Sequence, residues 1–141
     1  MIVEILSICD AATDYSGRLN LLGAFEGIAS ASAPITRESC SIAIRMRFGV
    51  LEEGKHLVAV KFVDKDDNTI GPVMNAGISV KMQKGRESGA HNLVVNLNRI
   101  SFPRFGTYRI QLLVDGEWKS EIPLLVAQAR ARSRITGAME N

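Results

Sequence analysis

Apolar and polar residues alternate with a period of two through most of this chain. In SIAIRMRFG, Ile42, Ile44, Met46 and Phe48 fall on one face and Ser41, Ala43, Arg45 and Arg47 on the other. That is the pattern of a strand with one buried side. LVAVKFVD repeats it through Val58, Val60 and Phe62, AGISVKM through Ile78, Val80 and Met82, and HNLVVNLN through Leu93, Val95 and Leu97. TYRIQLLVD continues through Tyr108, Ile110, Leu112 and Val114, and EWKSEIPLLV through Trp118, Ile122, Leu124 and Val126. Turn-forming clusters separate these runs: LEEGK, KDDN, KGRESG and DGE. With Ile2–Cys9 and Leu19–Phe25 added, about eight short strands result, and no segment follows the helical period. The expected fold is an all-β antiparallel sandwich with an added N-terminal hairpin.

Register sharpens the last hairpin. A bare two-residue Asp115-Gly116 turn sets Leu112 opposite Lys119 and Ile110 opposite Glu121, mixing core with solvent. One extra residue pairs Leu112 with Ser120, Ile110 with Ile122 and Tyr108 with Leu124. The sequence therefore predicts a three-residue loop or a bulge, with Gly116 at positive φ. Parity places Trp118 and Tyr108 inward, as core side chains rather than a sugar-stacking platform. It places Leu57, Val63, Leu113 and Leu125 outward, where they are candidates for a partner-binding apolar patch, that of a homodimer above all. In the first strand Ile2, Leu6 and Ile8 oppose Val3 and Ile5, so that strand is expected to bury both faces and its hairpin to cover part of the patch.

FPRFGTYRI adds topology. Its Gly106-x-Tyr108-x-Ile110 spacing is that of the corner leading into strand F of immunoglobulin-like domains, where a tyrosine hydroxyl bonds back to the main chain. Arg45–Phe48 then reads as strand B, Val58–Asp64 as C, Leu93–Leu97 as E, Thr107–Val114 as F and Trp118–Val126 as G. The hydroxyl is expected to reach the backbone near Ile100–Pro103. Beyond this pattern, ICDAATDYSGRLNLLGAFEGI, the RMRF strand, FVDKDDNTIGP and FGTYRIQLLVDGEWKSEIPLLV together resemble a bacterial family of small β-sandwich proteins with a domain of unknown function. The resemblance runs over residues 1–127. It implies an immunoglobulin-like fold and supplies no activity, cofactor or functional residue.

Composition changes this picture little. The chain has 141 residues, 46% of them hydrophobic and 23% charged, which suits one domain able to bury a core without disulfide or metal staples. Its 17 Lys and Arg against 15 Asp and Glu give a formal charge of +2, too small to imply a polyanion partner. Arg130, Arg132 and Arg134 cluster in a basic tail, residues 128–141, expected to be flexible and to follow a single domain at 1–127. LSIC near the start faintly resembles a lipoprotein cleavage box, but no basic residue precedes the apolar stretch and Glu4 interrupts it. No window reaches the length of a membrane span. The expected location is cytoplasmic, with Cys9 and Cys40 as free thiols.

Chemistry-bearing groups are sparse. CDAATDYSGRLNLLGAF gathers Cys9, Asp10, Asp14, Tyr15 and Arg18, yet a nucleophilic Cys9 lacks a nearby histidine, and an inert buried thiol ending an apolar strand fits better. Asp10, Asp14, Ser16 and Gly17 are turn residues, so the stretch reads as a turn between two strands. Asp64, Asp66 and Asn68 open like a calcium loop, but Thr69 stands where a glycine is needed and Asn75 where a bidentate glutamate is needed. No phosphate-loop, dinucleotide, serine-elbow or zinc-helix motif occurs. Two histidines, His56 and His91, cannot make a three-ligand zinc site without carboxylate help. The sequence therefore points to a non-enzymatic binding or assembly module without cofactor or metal, for a protein partner or a second copy. A loop-built enzyme lined by His56, His91 or the Asp64–Asp67 loop is the alternative, and weak nucleic-acid binding through the tail arginines is a third.

Overall fold

The protein is described by a computed structural model over residues 1–129. Nine strands follow in order: β1 Ile2–Tyr15, β2 Arg18–Ala24, β3 Gly27–Ser30, β4 Ile35–Gly49, β5 Gly54–Val63, β6 Thr69–Val80, β7 Ser88–Phe102, β8 Gly106–Val114 and β9 Glu117–Gln128. A single turn of 3₁₀ helix at Val50–Glu52 lies between β4 and β5. The strands form a four-stranded sheet, β2-β1-β4-β7, and a five-stranded sheet, β3-β9-β8-β5-β6. This is an all-β, sandwich-like architecture in which one sheet curls as a half-barrel.

Alternation decides which residues meet between the sheets. Ile42, Ile44, Met46 and Phe48 of β4 face Val58, Val60 and Phe62 of β5 and Tyr108, Ile110, Leu112 and Val114 of β8 in one buried cluster. These are the inward sets that the period-two pattern predicts. Pro72 is accommodated because β6 is an edge strand, where a missing N–H breaks no ladder. The short β3, with too few residues for a pattern, is held by parallel pairing of Gly27–Ser30 with Leu125–Gln128.

Three bulges interrupt the ladders, and two of them overturn parts of the parity reading. In β1 the register shifts between Val3 and Ile5, so Val3, Leu6 and Ile8 all turn toward the core. The strand buries both faces only toward its centre, where Ile8 is 2% and Cys9 0% exposed, and not at its start, where Ile2 is 62% exposed. Glu4, the extra residue, bonds outward to Arg45 Nε at 3.0 Å and Arg47 Nε at 2.7 Å. The ladder of β5 to β6 shifts between Val60 and Phe62 because β6 carries the extra residues, 71–73. Strand β5 itself keeps unbroken register with β8, so Val63 stays on the Arg109 face and is nonetheless buried at 1% exposure. Val63 is thus not exposed partner surface, although it lies outside the inter-sheet cluster.

The third bulge is the one expected in the last hairpin. Leu112 pairs with Ser120, Ile110 with Ile122 and Tyr108 with Leu124, while Leu113 pairs with Trp118. Lys119 is the residue left over. The turn itself is Asp115-Gly116, both at positive φ (54° and 81°), the backbone of a type I′ hairpin. Because the bulge lies after Trp118, the parity of Trp118 is opposite to that of Ile122. Its ring is 56% exposed rather than core.

Tyr108 makes the expected corner, one residue beyond the predicted partner. Its hydroxyl donates to the Arg104 carbonyl at 2.7 Å and accepts from the Arg104 N–H at 3.2 Å. Tyr108→Phe removes both bonds from a side chain that is 4% exposed, and a loss of about 1 kcal/mol is expected. An unchanged urea midpoint would show that the corner contributes nothing.

Candidate functional site

The outer face of the five-stranded sheet carries most of the predicted partner residues. Outward on β8 stand Thr107, Arg109, Gln111 and Leu113; they pair with Leu125, Pro123, Glu121 and Trp118 of β9. On the other side Leu113 pairs with Ala59 and Gln111 with Lys61 of β5, with Leu57 two residues before Ala59 on the same face. Leu57 is 52% exposed, Leu125 50%, and Leu113 half-buried. The patch is not continuous. Leu57, Leu113 and Trp118 cluster at the Asp115 end, and Leu125 lies near β3. Between them Gln111 Nε2 donates to Glu121 Oε1 at 3.1 Å, Trp118 Nε1 donates to the same oxygen at 3.3 Å, and Arg109 lies 3.8 Å away. The N-terminal hairpin does not cover this face, because β1 and β2 belong to the opposite sheet. Trp118 was hidden from sequence reasoning by the bulge that follows it.

His56 sits at one end of β5, its ring stacked on Phe48 with centroids 5.1 Å apart. Nδ1 lies 2.6 Å from Asp115 Oδ2 and Nε2 2.6 Å from the Glu52 carbonyl. Both neighbours are acceptors, so the doubly protonated ring satisfies both. The Glu52 carbonyl first, then the Asp115 carboxylate, raise the imidazole above its ordinary pKa of 6.5. Asp115 also accepts from the Leu57 N–H at 2.9 Å, and that bond first, then His56, lowers its carboxyl below 3.8. Since the folded value for His56 exceeds the unfolded one, its contribution is complete below about pH 6.5 and is lost as pH rises through the folded value. The difference in urea midpoint between pH 6 and pH 8.5 is expected to shrink in His56→Gln; an unchanged difference would remove His56 as its source.

The acidic loop lies at the other end of β5, roughly 26 Å away for eight residues of strand. Asp64 Oδ1 accepts from the N–H groups of Asp66 and Asn68, each at 2.9 Å, so this carboxylate closes a turn. The Asn68 N–H above all lowers its pKa. Asp67 pairs instead with Arg109. The loop and the Pro103–Tyr108 corner border a cavity of 460 Å³. His56 borders a different cavity of 200 Å³, and His91 pairs with Met46 across β4 and β7. The three groups named for a loop-built site are thus not brought together. Among the described residues no three metal-ligating side chains gather, and no helix is long and apolar enough to cross a membrane.

Cys9 is fully buried and its thiol reaches the Ser41 carbonyl at 3.5 Å; burial raises its pKa, and that of Cys40. The stretch around it is more strand than turn. Asp10 and Asp14 lie within β1, Asp10 pairing with Arg37, and only Ser16-Gly17 forms the turn, both at positive φ. Arg130, Arg132 and Arg134 lie outside the described residues.

Fold and surface define a small all-β, two-sheet domain with an aromatic-bearing exposed face. The chain belongs to a family of unknown function, DUF6941, which it matches over residues 4–127. No curated protein matches it. Among solved structures it is similar to one named "putative beta-galactosidase from bacteroides fragilis", with 11% identity and a TM-score of 0.40. The match covers 83% of this chain but 15% of that one, a likeness too loose to define topology or activity.

Proposed function

We propose that the chain is a non-enzymatic binding or assembly module of immunoglobulin-like build, which pairs with a second copy of itself through the exposed face of the five-stranded sheet. The immunoglobulin-like reading is supported by the pairing of β4 with β7 and of β5, β8 and β9 in series, the B–E and C–F–G neighbours of that fold. The tyrosine corner before β8 supports it as well.

The observation that carries the functional reading is the exposure of Trp118, Leu57 and Leu125 on one sheet face. Aromatic anchors of this kind dominate interface energetics. Between the apolar spots the face carries both signs, Arg109 and Lys61 with Glu121, so it presents no single-sign field that would repel a second copy. Wild-type chain is expected to run as a dimer at tens of micromolar by light scattering, and Trp118→Lys with Leu125→Lys to run as a folded monomer. A wild-type monomer across the micromolar range would overturn the pairing.

A further inference from the structure

A separate cavity of 260 Å³ lies on the outer face of the opposite sheet, beside its β7 edge. Its walls come from segments far apart in the chain: Gly17 at the β1–β2 turn, Arg45 on β4, Lys81 and Arg86 in the β6–β7 turn, and Ser88 and Ala90 at the start of β7. Its charge has one sign. Three cations line it and no carboxylate does, whereas Asp64 and Asp66 face Lys65 and Arg104 in the corner cavity, and Glu52, Asp115 and Glu117 face His56 and Lys119 in the other.

The hydrogen bonds around it leave donors free. Arg45 spends Nε on Glu4 and Nη1 on Asn92 Oδ1, each at 3.0 Å, which leaves its second terminal nitrogen. Asn92 donates in turn to the Gly17 carbonyl at 3.0 Å and so fixes the hairpin tip as a wall. Ser88 Oγ accepts from Arg47 Nη1 at 3.1 Å, so its own hydrogen remains to be donated. Lys81 and Arg86 enter no ion pair among the described residues.

We propose that this cavity binds a phosphoryl dianion carried on a small molecule. One guanidinium fork suffices for a carboxylate, but a phosphoryl group offers three terminal oxygens and two charges to Arg45, Lys81, Arg86 and the Ser88 hydroxyl. The volume far exceeds a water's share of roughly 30 Å³, and Met82 and Ala90 give the carrier apolar wall. A short, half-open depression on a chain of formal charge +2 fits a small ligand better than a nucleic-acid backbone, which is met by a long basic stripe. The site lies on the sheet opposite the proposed pairing face, so neither depends on the other.

The test is calorimetric titration of the full chain with phenyl phosphate and with inorganic phosphate, at ionic strength held constant with potassium chloride. Saturable one-to-one binding is expected. Tighter binding of phenyl phosphate supports the ester, and equal or tighter binding of inorganic phosphate overturns it, since the carrier then contributes nothing. Lys81→Ala with Arg86→Ala is expected to weaken binding by about tenfold or more, with an unchanged urea midpoint since both side chains are exposed. Ala90→Leu is expected to weaken it too, by filling space without altering charge. Lys65→Ala with Arg104→Ala makes the same charge change at the corner cavity and is expected to leave binding intact. Absence of saturable binding at millimolar phenyl phosphate, or equal weakening by the two double variants, overturns the proposal.

Discussion

Phe102→Ala is expected to lower folding stability by about 3–5 kcal/mol, read as a drop in urea midpoint. Phe102 ends β7 at 1% exposure and bridges the two sheets. Its ring meets Phe62 of β5 edge-on at 5.6 Å and Tyr108 of β8 at 4.9 Å. Truncation removes the transfer energy of a buried ring and opens a void whose walls are strands, which relax only by sliding whole ladders. It also frees the Tyr108 ring, whose hydroxyl holds Arg104. Phe102→Ala and Tyr108→Phe are therefore expected to be non-additive in a double-mutant cycle. Against a typical total of about 5–15 kcal/mol the single variant stands near unfolding. A loss below about 1 kcal/mol would contradict the packing described for this end of the core.

The opposite end yields the second large effect. Phe48→Ala is expected to cost about 3–5 kcal/mol as well, since Phe48 is fully buried and is the wall on which His56 stacks. Here the loss carries a pH signature. With the ring gone, water reaches the bonds from His56 to the Glu52 carbonyl and the Asp115 carboxylate and weakens them. The fall in stability as pH rises through the raised His56 value is then expected to flatten. Midpoints at pH 6 and pH 8.5 for wild type and variant measure both effects. A full-sized pH difference in the variant would show that the latch holds without its aromatic wall.

The Phe48 end also shows how far the sequence could be followed. Phe48 is legible as inward from alternation alone, and so are Ile44, Val60, Ile110 and Leu112. His56 was legible only as a histidine. Its partners come from residues 4 and 59 positions away, and a pairing of that range has no local signal. The same holds for the phosphoryl pocket: KGRESG reads as a turn, RMRF as a strand and YSGR as a hairpin tip. Only the sheet order brings Arg86, Arg45 and Gly17 to one wall.

What the sequence determined by itself was the class of fold, the inward sets of β4, β5 and β8 and the need for one extra residue in the last hairpin. A period of two is a local property that side chains impose on any extended chain with one face in solvent. What tertiary structure decided were the exposure of Trp118, the burial of Val63 and the turning of Val3 toward the core with Leu6. Trp118 and Val3 follow from bulges, and a bulge is settled between two strands rather than within one. Val63 keeps its outward parity and is buried all the same. One residue of slip reverses every side chain beyond it, so the surface that a partner would meet was written by pairing, not by pattern.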